Sequence, residues 1–279
     1  MGLLSKKKGD LKKKEEEMSF LDHIEALRWH VIRGLIAVFI IAVIVFLSKD
    51  FVFNVIIFGP LGPDFFTYRT ICNISEALCF SPDNLAVKTL SIQEKFITHL
   101  KVSFWMGVII GFPYLFYEFW KFVKPGLYDA EVKAARGIVL ICSLLFITGV
   151  LFGYFIISPF AITFLSNYNI GDQVAAEVTL SSLVSTLTMF TLPAGIVFEL
   201  PIVIYFLSKI GLVTPEFLRQ YRKHAFVIIL VVSAVITPPD VVTQLLIGFP
   251  LYLLYEISIK ISARVVKKAA EKAKETENS

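Results

Sequence analysis

The chain has 279 residues, 56% of them hydrophobic and only 18% charged, with a mean hydropathy of +0.72. Soluble domains carry roughly 25% charge, so a water-soluble enzyme is nearly excluded. The 14% aromatic content excludes a disordered chain, and continuous apolar stretches argue against a β-barrel. The net charge of +4 is small, and what it says lies in its distribution.

Residues 1–18 read as a charged, disordered tail built on Lys6–Lys8, Lys12–Lys14 and Glu15–Glu17, with no signal-peptide pattern. Residues 19–31 predict an amphipathic helix lying on the membrane surface. Ser19 and Asp22 fit a capping box, and Phe20, Leu21, Ile24, Leu27 and Val31 form its apolar stripe. Six spans follow. Span one covers Val31 to Ser48, and span two covers Phe96 to Tyr117, with Lys101 near one end. Span three starts at Gly137 and is predicted to end at Ser158-Pro159. Span four covers Val178 to Leu207, and Glu199 is its only charge. The turn signal Thr237-Pro-Pro-Asp240 separates span five (Ala225–Pro239) from span six (Val241–Tyr255). The last two are short: fifteen helical residues cover about 22 Å against a hydrocarbon core of about 30 Å. The chain thus divides into the tail 1–18, a membrane domain 19–259 and a charged tail 260–279.

Lysine and arginine assign the sides. The region up to Arg33 holds eight, the segments 119–136 and 208–224 four each, and the chain after Tyr255 six. The opposite side has four, in 49–95. The positive-inside rule predicts both termini in the cytosol and the loops 49–95 and 159–177 outside. The expected class is an all-α polytopic membrane protein, N-in and C-in.

No CxxC, HExxH, P-loop or GxSxG motif is present, so no metal, cofactor or enzymatic activity is expected. Cys72 and Cys79 share the outward loop, where a disulfide would persist and contribute roughly 2–3 kcal/mol. Cys142 lies within span three as a small core residue. Glu199 in span four, followed by Pro201, is a functional candidate because an ionisable group inside a span is costly. At 100° per residue Ser181, Ser185 and Thr188 fall on nearly the same side, a polar stripe. His23 and His30 lie seven apart on one helical face.

Taken together, five motifs in order resemble the TatC family, the core membrane subunits of twin-arginine protein translocases. They are His23-Ile-Glu-Ala-Leu-Arg28, Pro60, the loop Phe122 to Glu131, Phe198-Glu-Leu-Pro201, and Thr237-Pro-Pro-Asp-Val-Val-Thr-Gln244. The resemblance covers about Phe20 to Ile259. It implies a receptor in the bacterial inner membrane that binds signal peptides with paired arginines and exports folded proteins on the proton gradient. It also implies single-span TatA- and TatB-type partners in a hetero-oligomer, contact with lipid, and no nucleic acid. Implied peptide-binding residues are Glu131, Glu25, Arg28, Phe122, Pro125, Leu127 and Tyr128. Implied intramembrane or partner residues are Glu199, Phe198, Pro201 and Gln244, with Pro60 and Asp240 at the outer face. One of the family's two recognition glutamates matches Glu131. The other falls on Ala26, and Glu25 next to it is turned about 100° around a helix. The alternative is a small proton-coupled secondary transporter using Glu199, which requires an inverted repeat not found between the halves. An intramembrane hydrolase would have only His99 and the span-four serines to draw on.

Overall fold

The computed structural model describes residues 20–74, 80, 82, 85–124, 137–167, 178–236 and 241–277. The tail 1–18, Cys79, Pro125, Leu127, Tyr128, Glu131 and Asp240 lie outside the described residues. In chain order the helices are α1 (Phe20–Leu47), α2 (Phe66–Ile74), α3 (Glu94–Val123), α4 (Ile138–Phe152), α5 (Ser158–Asn167), α6 (Leu180–Val197), α7 (Leu200–Lys209), α8 (Pro215–Gln220), α9 (Arg222–Ile236) and α10 (Val241–Glu277). Two strands of two residues, β1 (Val87–Lys88) and β2 (Val178–Thr179), pair in parallel with Val87 opposite Val178.

The protein is an all-α polytopic membrane protein. Rows of large apolar side chains on α1, such as Phe39, Ile40, Ile44 and Leu47, stay exposed along a helix that is apolar all round. That is the pattern of a lipid-facing span. Among the described residues five segments are long and apolar enough to cross a membrane: Ile24–Leu47, Lys49–Ile74, Glu94–Val123, Ile138–Asn167 and Leu180–Lys209. Four coincide with predicted spans one to four. The fifth, Lys49–Ile74, falls in the predicted outer loop. It does not run as one straight helix. A π-helical turn over Val52–Ile57 and a 3-10 turn over Gly59–Leu61 interrupt it before α2. The Tyr68 hydroxyl then donates back to the Pro60 carbonyl (3.0 Å) and also contacts that of Pro159 (3.3 Å).

Several predicted boundaries are corrected. The surface helix 19–31 and span one are a single helix, α1, because no Gly or Pro separates Phe20 from Arg33. Span three does not stop at Ser158-Pro159. The chain passes through a π-helical turn (Gly153–Ile157) into α5. Pro159 has no N–H for the Phe155 carbonyl, and that carbonyl instead accepts from the Thr67 hydroxyl of α2. Span four breaks at Phe198-Glu199, because Pro201 at the start of α7 cannot continue the ladder of α6. Past residue 260 the chain continues as helix, with α10 reaching Glu277.

Packing centres on three clusters. Phe190, Ala194, Ile204, Ile247 and Leu251 join α6, α7 and α10. Val45, Val102, Ile162, Leu183 and Leu187 join α1, α3, α5 and α6. Ile138 and Cys142 pack under Phe116, Trp120 and Ile202. Close approach of α4 and the π-helical turn that continues it to α6 requires glycine: a Cβ on Gly153 would stand 2.6 Å from the Phe190 carbonyl oxygen, and one on Gly149 2.6 Å from that of Ala194. At the β1–β2 end, Glu94 fastens α3 to α6. Its Oε2 accepts from Leu90 N (2.6 Å) and its Oε1 from Ser181 N (2.9 Å), one of the free amides that open α6.

Candidate functional site

The helices α1 and α3 run antiparallel and meet at small residues: Gly34 faces Leu115, Val38 faces Gly111, and Ala42 faces Gly107. One turn before Gly34, the same register brings His30 to Glu118. Nδ1 of His30 lies 2.6 Å from Oε2 of Glu118. The Glu118 side chain is 6% exposed and that of His30 16%, so the imidazole covers the carboxylate. Tyr114 lies beside the same carboxylate, and the Phe122 ring meets His30 edge-on with centroids 6.3 Å apart. The buried face of α1 runs back from Val38 through Gly34 and His30 to the half-buried Ala26. Position 26 is therefore level with Phe122, in the last turn of α3.

Three of the seven sequence-predicted peptide-binding residues are described. Glu25 is exposed, off the face that meets α3. Arg28 is exposed, and its guanidinium lies 5.9 Å from the centre of the Trp29 ring. Phe122 borders His30. Sequence reasoning missed Glu118. The signal was present, since Glu118 is the only acid between Glu94 and Asp129 and follows an apolar run.

A second polar feature lies deeper. Glu199 sits in the break between α6 and α7, against Cys142 and the Phe146 backbone of α4. Its Oε1 is buried with no hydrogen-bond partner among the described residues. Cys142 is a buried free thiol, as a small core residue should be. The Phe198 ring lies tilted against Phe152 with centroids 5.6 Å apart, and Pro201 is buried. The predicted polar stripe does not form. Ser185 and Thr188 line a groove of about 700 Å³ between α3 and α6 with Lys101, whereas Glu199 faces α4. The break after Val197 resets the helical phase, so counting 100° per residue across it fails.

Gln244 is half-buried between two helices. Its Nε2 donates to the Leu230 carbonyl at 3.0 Å and ties α10 to α9. Pro60 is buried and holds Tyr68. His99, the residue a hydrolase would require, is stacked on Phe46 with centroids 4.0 Å apart, and its Nε2 has no hydrogen-bond partner among the described residues. Cys72 is disulfide-bonded; Cys79, the mate expected from the sequence, lies outside the described residues. Among the described residues no group of acids, His and Cys could hold a metal ion.

Residues 22–250 match the family model for TatC, the Sec-independent protein translocase protein. The TatC protein of a Blattabacterium from Periplaneta americana is 41% identical over 265 residues, covering 92% of this chain and all of that one. That of Desulforapulum autotrophicum is 37% identical, covering 96% of this chain and 93% of that one. A crystal structure of the twin-arginine translocase receptor TatC superposes with a TM-score of 0.67 at 35% identity, covering 88% of this chain and 99% of that one. The chain belongs to the TatC family, the transport subunits of the Sec-independent protein translocase.

Proposed function

We propose that this chain is the receptor subunit of the translocase: it binds twin-arginine signal peptides on the cytosolic face and passes folded proteins outward on the proton gradient. The observation that carries this reading is full-length likeness to a translocase receptor, joined to a carboxylate, Glu118, at the end of α3 that leads into the loop with Glu131. A guanidinium pair is best met by planar carboxylates, which take two parallel hydrogen bonds where lysine offers one point charge. In this reading α9 and α10 are spans five and six, both termini are cytosolic, and the membrane is the bacterial inner membrane. The lysine and arginine distribution supports that orientation. The 15-residue α9 covers only about 22 Å, which favours local thinning of the bilayer where TatA- and TatB-type helices dock. The transporter alternative has Glu199 alone in its favour.

The experiment is peptide affinity in detergent, with paired-arginine and paired-lysine signal peptides compared. Glu131→Lys is expected to lose most paired-arginine binding by placing a like charge where an acceptor stood. Unchanged affinity removes the carboxylate model. Glu199 has a separate role in this reading: its Oε1 is buried without a hydrogen-bond partner among the described residues, and a docking helix that opens the break between α6 and α7 offers it a polar group, for about 1–2 kcal/mol at most. Glu199→Gln, which keeps shape and a donor, is expected to retain partner assembly but slow export. Glu199→Ala is expected to lose both. Peptide binding survives in each, and wild-type export by both variants rejects the role.

A further inference from the structure

Family resemblance leaves a gap in the receptor reading: one recognition carboxylate falls on Ala26. The neighbouring Glu25 does not fill it, because it is exposed and off the face of α1 that meets α3. The α1–α3 register offers another source. Gly34 faces Leu115 and His30 meets Glu118, so position 26 is level with Phe122, one helical turn from Glu118 on the same side of the helix pair. A carboxylate therefore stands about one turn from the vacant position, reached from α3 instead of α1.

We propose that Glu118 supplies the carboxylate that position 26 lacks, and that His30 masks it until an arginine of the signal peptide displaces the imidazole. This rests on the receptor reading above. His30 holds one carboxylate oxygen through one ring nitrogen. A guanidinium engages both oxygens at once and carries a permanent charge, so it competes well for the same acceptor. His30 is the more exposed of the two side chains, at 16% against 6%, so it can leave while α1 and α3 stay packed through Gly34, Gly107 and Gly111. Removing it leaves a poorly solvated carboxylate with the Tyr114 hydroxyl beside it but without the imidazole, a state that an incoming cation relieves. The site thus takes a guanidinium-bearing extended peptide, and the mask makes recognition an exchange of partners.

The test uses the full-length protein in detergent with paired-arginine and paired-lysine signal peptides. Glu118→Gln is expected to weaken paired-arginine binding by about tenfold, the loss of one charge-assisted contact, with little change for the lysine peptide. Adding Ala26→Glu to Glu118→Gln is expected to restore most of that loss. His30→Ala, which keeps the carboxylate and removes its mask, is expected to tighten paired-arginine binding. If the pair merely pins two helices, His30→Ala and Glu118→Gln weaken binding alike and Ala26→Glu restores nothing; that result overturns the proposal. Wild-type affinity in Glu118→Gln overturns it as well. Should Glu118→Gln fold poorly, His30→Ala decides alone: tighter binding supports the mask, weaker binding rejects it. Failure of the wild-type protein to distinguish the two peptides refutes the receptor reading itself, whereas discrimination that Glu118→Gln leaves intact refutes only the role of Glu118.

Discussion

Two antiparallel helix pairs in this protein are held together by different means. In α1–α3, as in α4–α6, backbones approach directly at glycines; a Cβ on Gly107 would come within 3.0 Å of the Val38 carbonyl oxygen and of the Ala42 Cβ. In α9–α10 the fastenings are side chains near the two ends. Gln244 reaches the Leu230 carbonyl, and Arg222 pairs with Glu256 at 2.8 Å. Between them, Phe226, Val227, Ile228, Val231 and Val232 of α9 remain exposed. Lipid is as apolar as leucine, so no hydrophobic gain drives helices together, and stable contact comes from close packing or polar bonds. The glycine-packed pairs form a frame of backbone contacts, and the C-terminal hairpin is joined by polar side chains that leave one face of α9 exposed.

The largest expected effect breaks the first kind of contact. Gly153→Ala places a methyl group against backbone atoms on α6, the Phe190 oxygen at 2.6 Å and the Thr191 Cα at 2.8 Å, neither of which can swing aside. The helices must separate, at a cost of about 1–3 kcal/mol. Gly34→Ala is the control, since its new Cβ meets the tip of Leu115, Cδ2 at 2.8 Å, which another rotamer moves away. Thermal unfolding in detergent should fall clearly for Gly153→Ala and little for Gly34→Ala. Equal shifts would mean that the α4–α6 contact is not the frame.

The contrast also explains what the sequence reveals. Spans one to four were legible because apolar runs bounded by charge report burial in lipid whatever they pack against. The π-helical turn before Pro159 was not, because its stability depends on Thr67, more than eighty positions away, accepting the role of donor to the orphaned Phe155 carbonyl. The continuity of α1 was hidden by a change of environment: amphipathic residues give way to apolar ones without any break in the backbone. Glu199 stood out as a lone charge, but its orientation did not, since the break at Pro201 changes the phase. Glu118 stands one position past the predicted end of span two, where a charge carries no signal of burial. Only the α1–α3 register turns it inward against His30.

The smallest expected effect belongs to the hairpin. Gln244→Leu keeps the volume and removes the bond to Leu230. That carbonyl lies inside α9, and its helical bond within the helix remains, so no buried acceptor is left empty. Interhelical side-chain bonds in membranes average about 0.6 kcal/mol, well below the cost of forcing a methyl group into Gly153. The unfolding temperature of Gln244→Leu should therefore lie close to that of the unaltered protein. The Arg222–Glu256 pair should persist in it, because the two fastenings lie at different ends of the hairpin. A fall as large as that of Gly153→Ala would show that one polar bond carries the hairpin. The exposed face of α9 would then belong to a tightly built unit, and the case for docking a partner there would weaken. A small fall together with lost crosslinks to a partner helix would instead show that the bond sets the angle at which α9 and α10 present that face.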